Sequence, residues 1–139
     1  MRLVLTGPSA ALHRTGAAPM ALSRLDAALL AWLALEGSTS RQRLLRLLWP
    51  DQESEAARNA LRQRLFRLRR AAGADLVQGS EQLALADGVA ADVDDAGGGG
   101  ELLGGHDYTD CAELQEWLDA QRHRLQLERH ARATQHIAA

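Results

Sequence analysis

The residues best suited to chemistry lie between positions 41 and 70, where nine arginines against three acidic residues give a net charge of +6. The whole chain of 139 residues has a net charge of −2, so this basic block is an exception within it. Guanidinium groups donate paired hydrogen bonds to phosphate oxygens and to the edge of guanine. A local concentration of arginine is what a polyanionic partner requires, although a charge run taken by itself is more often a solvated helix face.

The segment from about residue 54 to residue 72 has the periodicity of an amphipathic helix that Gly73 closes. Its apolar stripe consists of Ala57, Leu61, Leu65, Leu68 and Ala72. The opposite face carries Asn59, Gln63, Phe66 and Arg70, flanked by Arg62 and Arg67. In the major groove, arginine pairs with guanine, Asn and Gln pair with adenine, and an apolar ring contacts the thymine methyl group. This face therefore favours a reader of base edges over a helix face that is only solvated.

Two helical segments precede this one and would hold it in place. The first opens with the capping pair Ser23 and Asp26, and the second opens at Thr39 or Ser40, where Thr39 and Gln42 match the same pattern. Basic residues cluster at the start of the second segment, where they can clamp phosphates: Arg41, Arg43 and Arg46.

Extended segments surround these helices. Strands are predicted at about residues 2–6, 10–12 and 18–22, a β-hairpin at 76–78 and 82–85, and a last helix at 111–137. This order predicts an α+β fold, a winged helix-turn-helix with N-terminal strands, three helices and a C-terminal hairpin wing, followed by one further helix. The expected parts are a DNA-binding domain at 1–95, a Gly-rich linker at 96–111 and a C-terminal helix at 112–139.

Four runs of residues resemble a known family: 29–37 (LLAWLALEG), 40–44 (SRQRL), 47–51 (LLWPD) and 57–70 (ARNALRQRLFRLRR). Together they are similar to the DNA-binding domain of the Streptomyces antibiotic regulatory protein family (SARP, or AfsR-type), itself similar to the OmpR/PhoB-type winged helix. The resemblance covers about residues 1–95.

The C-terminal part resembles the same family more weakly. Residues 101–105 (ELLGG) and 113–125 (ELQEWLDAQRHRL) are similar to the opening of the family's bacterial transcriptional activation domain, and we expect a truncated form of it here. Because one helix cannot bury its own apolar stripe, we expect it to pack on its own domain or on a second copy.

The resemblance implies a sequence-specific transcriptional regulator, expected to be an activator, that reads double-stranded DNA with the helix at 54–72. It implies base or groove contacts from Asn59, Arg62, Gln63, Phe66 and Arg67. It implies phosphate contacts from Arg41, Arg43, Arg58, Arg64, Arg69 and Arg70. The loop at 50–53 lies where relatives of this type contact RNA polymerase, and its acids Asp51 and Glu53 suit a protein partner better than a phosphate.

One departure from the family pattern concerns the hairpin turn at 79–81, which has no arginine and carries Glu81. Because this carboxylate would repel phosphate, we expect a contact dominated by the helix, with modest affinity per monomer. The alternative function is a protein–protein interaction module, in which the winged helix serves as an adaptor or competitor. Its last helix would then pair with a second copy, to form a homodimer, or with a full-length relative, through Leu114, Trp117, Leu118 and Leu125.

Other functional classes find little support in the residues. The single cysteine, Cys111, excludes an internal disulfide and a cysteine-rich zinc site, and His123, His130 and His136 lack the four-residue spacing of a helical metal site. We therefore expect no catalytic residue, cofactor or metal. The longest strongly apolar stretch, residues 27–35, is far shorter than a membrane span, and the N-terminus does not match a secretory signal, so a cytoplasmic protein is expected.

Overall fold

In the computed structural model, which describes residues 1–94 and 100–138, four α-helices and two small sheets form an α+β fold. The elements in chain order are β1 (Arg2–Val4), β2 (Ala11–His13), β3 (Met20–Ala21), α1 (Arg24–Glu36), β4 (Thr39–Ser40), α2 (Arg41–Leu48), α3 (Ser54–Ala72), β5 (Val77–Gln78), β6 (Gln82–Leu85), β7 (Ala90–Ala91) and α4 (Ala112–Ala138). A 3₁₀ turn, Asp92–Asp94, follows β7. The linker predicted at 96–111 falls partly outside the described residues, at 96–99.

The first sheet has the strand order β3-β2-β1-β7, with β1 parallel to β7 and the other pairs antiparallel. The buried carboxylate of Asp92 holds the end of β7 against the residues that follow β1. It accepts hydrogen bonds from the backbone N–H groups of Leu5, at 2.8 Å, and Thr6, at 3.2 Å. Charge-assisted bonds of this kind satisfy a carboxylate that burial would otherwise destabilise.

Helix α1 is the centre of the core. Its Ala27–Leu33 stretch is buried at every position, and α2 and β6 are among the elements that contact the helix. Ser23 caps its start as predicted, with the hydroxyl oxygen accepting from the backbone N–H of Asp26 at 3.4 Å. Gly37 ends it with a φ of 77°, a conformation that favours glycine.

The capping pair predicted for α2 is wrong in detail. Ser40 is the cap, and its hydroxyl oxygen accepts from the backbone N–H of Arg43 at 3.1 Å. Thr39 is held extended in β4, where it pairs with Leu83 of β6, and its hydroxyl accepts from the indole N–H of Trp32 at 3.0 Å. Because that pairing keeps Thr39 in a strand, the helix starts one residue later.

Helix α3 has the predicted bounds. Ala57, Leu61, Leu68 and Ala72 are buried, and Leu65 packs partly buried against the same core. Gly73 closes the helix in the left-handed conformation, with a φ of 75°, and its N–H donates to the carbonyl of Arg69 at 2.9 Å. The apolar stripe thus faces inward and leaves the opposite face outward.

The second sheet has the order β4-β6-β5 and places a hairpin beside α3. Val77 of β5 lies opposite Leu85 of β6, and the turn between these strands is Gly79-Ser80-Glu81. Gly79 has a φ of 105°, and a Cβ atom there would lie 2.0 Å from the carbonyl oxygen of Gln82. The turn therefore requires glycine at this position.

The segment 100–111 and the first half of α4 complete the core. Leu102, Leu103, Tyr108, Leu114 and Leu118 are all buried with the residues of α1 and α2 in one cluster. The guanidinium of Arg122 donates to the carbonyls of Leu102, Leu103 and His106 at 2.8, 2.9 and 3.0 Å. The last helix therefore packs on its own chain, which was one of the two expected arrangements.

No helix within the described part of the chain is long and apolar enough to cross a membrane.

Candidate nucleic-acid interface

The outward face of α3 is open to solvent along its length. All five residues predicted to contact bases or the groove are exposed, and they are Asn59, Arg62, Gln63, Phe66 and Arg67. Phe66 is 61% exposed, the highest value among the large hydrophobic residues that the structure describes. An exposed aromatic ring among arginines and amides is a costly surface for a helix that only meets water, and it suits contact with bases.

A cleft of about 480 Å³ lies between the start of α2, the N-terminal half of α3 and the hairpin turn. Arginines from two of these elements line it, Arg41 from α2 and Arg58 and Arg62 from α3. Glu81 and Gln82 of the hairpin form the remaining side. Three guanidinium groups around one cleft make it attractive to a phosphate, with Glu81 as the one opposing charge.

Arg41 connects α2 to the hairpin turn. Its backbone N–H donates to the carbonyl of Glu81 at 2.9 Å, and its side-chain Nε donates to the carbonyl of Ser80. A turn without any arginine of its own therefore has a guanidinium beside it. This neighbour could not be inferred from the sequence, because the pairing of β4 with β6 that creates it involves only two residues of each strand.

Two of the arginines predicted to contact phosphate are held by partners away from the open face of α3. Arg43 forms an ion pair with Glu113 of α4, and its guanidinium carbon lies 5.5 Å from the centre of the Trp32 ring. Arg64 donates to the hydroxyl of Ser23 at 3.0 Å and to the carboxylate of Asp26 at 3.3 Å. Their side chains are turned toward α4 and α1, so the structure does not bring them to the open face of α3.

The other predicted phosphate contacts lie on or beside the open face. Arg58 and Arg70 are exposed on α3. Arg69 forms an ion pair with Asp75 at 3.2 Å, yet its side chain remains 71% exposed, so solvent screens the pair. Four of the six arginines predicted to contact phosphate are therefore accessible to a ligand that covers α3, and they are Arg41, Arg58, Arg69 and Arg70.

A second depression, of about 220 Å³, lies between α3 and β5. Leu65, Phe66 and Arg69 form its helix side, and Asp75, Leu76 and Val77 are among the residues on its strand side. Phe66 is thus one of the residues that line this depression, together with charged and apolar neighbours. The loop at 50–53 lies at the opposite end of α3, and Asp51 and Glu53 are exposed in it.

The groups with shifted pKa values lie outside this face. Burial raises the pKa of the Tyr108 hydroxyl to about 12 and also raises the pKa of the Cys111 thiol. The Tyr108 hydroxyl donates to the carbonyl of Arg24 at 2.7 Å, and Cys111 Sγ lies 3.4 Å from the carbonyl of Leu48. Both are bound into the core, and within the described residues no three His, Cys, Asp or Glu side chains are grouped to hold a metal ion.

Comparison of the chain with protein-family models, with characterised proteins and with solved structures gives no significant match.

Proposed function

We propose that this chain is a sequence-specific DNA-binding transcriptional regulator that lays α3 in the major groove of double-stranded DNA. The observation that carries the proposal is the open face of α3, on which Asn59, Gln63, Phe66 and Arg67 are exposed together, with Arg41 and Arg58 beside them. Base-reading groups in the centre and cations at the edge are the arrangement that a duplex requires, since phosphates flank the exposed base edges.

The order of elements supports a winged helix of the OmpR/PhoB type, as in the SARP family. Three strands, β1 to β3, precede α1, and α2 and α3 follow it. The β5–β6 hairpin takes up β4 as a third strand, and β7 then joins the first sheet. In such a fold, α1 and α2 hold the reading helix at its buried side, so that its outer face projects from the body of the protein. The buried stripe of α3 serves this purpose here.

The contacts divide between bases and phosphates. A major groove about 12 Å wide admits one α-helix, so Gln63, Phe66 and Arg67 reach base edges. Arg41, Arg58 and the backbone N–H groups at the start of α2 approach the phosphates of the DNA strand that lies along the 480 Å³ cleft.

The hairpin turn contributes less than α3. Glu81 is exposed at its tip and faces the same cleft, where its charge opposes a phosphate. Arg41 lies beside it and offsets this charge locally. The affinity of one copy is accordingly modest and depends strongly on salt, because neutralised phosphates release counterions.

The alternative, dimerisation through α4, is less favoured. Leu114 and Leu118 are buried in the chain's own core, and Trp117 lies against Trp32, so this stripe is already covered. The exposed acids Asp51 and Glu53 agree with the further proposal that the loop at 50–53 meets RNA polymerase.

The test is a mobility-shift titration of the full chain against a duplex from its own upstream region and against a random duplex, at several salt concentrations. We expect binding at about 50 mM salt that weakens steeply as salt rises. Arg67→Ala should weaken it by about 1–3 kcal/mol, whereas Arg132→Ala, which removes the same charge from an exposed position on α4, should leave it unchanged. No shift at micromolar protein and low salt contradicts the proposal.

A further inference from the structure

Asn59 and Arg62 lie one helical turn apart on the exposed face of α3, and their side chains are joined. Nη2 of Arg62 donates to Oδ1 of Asn59 at 2.6 Å. Both side chains are exposed, so the bond is made on the surface that the proposed function assigns to DNA. We call these two residues the Asn59–Arg62 pair.

The bond changes what Asn59 can recognise. A free Asn side chain pairs with adenine by accepting from the N6 amino group and donating to N7. In the pair, the amide oxygen already accepts from a cation, and any second donor would have to approach beside the guanidinium group. The positive charge of Arg62 repels the amino hydrogens of adenine or cytosine there.

The groups that remain for DNA are all donors. The amide NH₂ of Asn59 donates. The guanidinium of Arg62 has five N–H donors and no acceptor, and only its Nη2 nitrogen donates to Asn59, so donors on its other nitrogens remain for DNA. In the major groove, guanine presents two adjacent acceptors, O6 and N7, whereas adenine presents one acceptor and one donor. Cytosine presents a donor, and thymine presents one acceptor beside its methyl group.

We propose that the Asn59–Arg62 pair acts as one reading unit that selects guanine. The inference rests on the proposed function, since it assigns a base to a face already proposed to meet DNA. The position supports it, because Asn59 and Arg62 lie in the N-terminal half of α3, and the N-terminal residues of a reading helix are those that contact base edges. Arg62 also lines the cleft together with Arg41 and Arg58. A DNA backbone bound in that cleft would therefore hold the Asn59–Arg62 pair at the edge of the major groove.

The experiment is selection of bound duplexes from a randomised pool with the full chain, followed by sequencing. The variants are Asn59→Ala, Arg62→Ala and Asn59→Asp, and the last of these keeps an acceptor for Arg62 while removing the amide donors. The wild type should enrich guanine at one position, and all three variants should lose that preference. Gln63→Ala is the matched control on the same face and should alter a different position.

A second measurement tests the acceptor directly. Replacing the selected guanine by 7-deazaguanine removes N7 and should weaken wild-type binding about tenfold, and should change the binding of Arg62→Ala much less. Circular dichroism of each variant establishes that α3 remains folded.

The outcomes separate this inference from the function on which it rests. Two results would overturn the claim that the Asn59–Arg62 pair selects guanine and would leave DNA binding intact. One is enrichment of adenine at the position that Asn59→Ala alters. The other is that Asn59→Ala and Arg62→Ala alter two different positions. Unaltered preference in all three variants would also overturn that claim. A folded chain that binds no duplex at low salt would overturn the function and the inference together.

Discussion

The rings of Trp32 and Trp117 lie with their centroids 4.8 Å apart and their planes tilted by 45°, and this contact joins α4 to α1. Each indole N–H also has a partner, Thr39 for Trp32 at 3.0 Å and Glu36 for Trp117 at 3.2 Å. Because Thr39 belongs to the strand that leads into α2, the aromatic pair connects the C-terminal helix with the start of the helix that supports α3.

Replacing Trp117 by alanine should destabilise the fold. The change removes the ring that contacts Trp32 and the bond to Glu36 and leaves a gap beside Trp32, so the free energy of unfolding should fall by about 2–4 kcal/mol. Urea unfolding followed by circular dichroism measures it. Leu127→Ala on the same helix is the control, since Leu127 is 55% exposed and should change stability by less than about 0.5 kcal/mol.

Removing the C-terminal segment should prevent cooperative folding. A chain ending at residue 95 loses Tyr108, Leu114 and Leu118, which are buried against α1 and α2 and would leave an apolar surface behind. We expect a broad unfolding transition and binding of a hydrophobic dye. A chain ending at residue 131 keeps these residues and should unfold as the full chain does, and a sharp transition for the shorter chain would contradict the prediction.

The helices were predictable from the sequence because their signals are local. Gly73 and the apolar stripe of α3, and Ser23 at the start of α1, act within one or two turns, and the structure has α3 at the predicted bounds. The exposed residues of α3 follow from the same periodicity, since a helix that buries Leu61 and Leu68 must turn Gln63 and Arg67 outward.

What could not be predicted depends on contacts between distant residues. Arg43 looked free for phosphate by its place in the sequence, but Glu113 lies seventy positions away and pairs with it only after α4 has docked. The segment at 101–111 has turn-like composition, yet Tyr108 in it is fully buried, because its hydroxyl finds a carbonyl acceptor in Arg24. No periodicity within either segment carries that information.

The two arginines Arg58 and Arg43 should behave in opposite ways. Arg58 is exposed beside the cleft, so Arg58→Ala should weaken DNA binding at all sequences, lower the salt slope by about one and leave unfolding unchanged. Arg43→Ala should lower the free energy of unfolding by about 0.5–1.5 kcal/mol, through loss of its contacts with Glu113 and Trp32, and change the salt slope little. Titrations at several salt concentrations, together with urea unfolding, measure both, and a common effect of the two substitutions would count against this assignment.

The stability of the fold should fall at high pH through Tyr108. Burial raises the pKa of its hydroxyl from 10.0 to about 12, and Arg24 and Arg122 oppose this only in part. The unfolded chain therefore releases the tyrosine proton first, and the free energy of unfolding should decrease from about pH 10 to pH 12 by roughly 2 kcal/mol. The chain contains no lysine and a single tyrosine, so ultraviolet absorbance of the tyrosinate follows this one group.

The control is Tyr108→Phe, and it is compared with its parent in a Cys111→Ala background. That background removes the thiol, whose pKa is also raised. In that background Tyr108→Phe should be less stable at neutral pH, because the carbonyl of Arg24 loses its donor, and should lack the decline with pH. A decline that persists after Tyr108→Phe would assign it to another group.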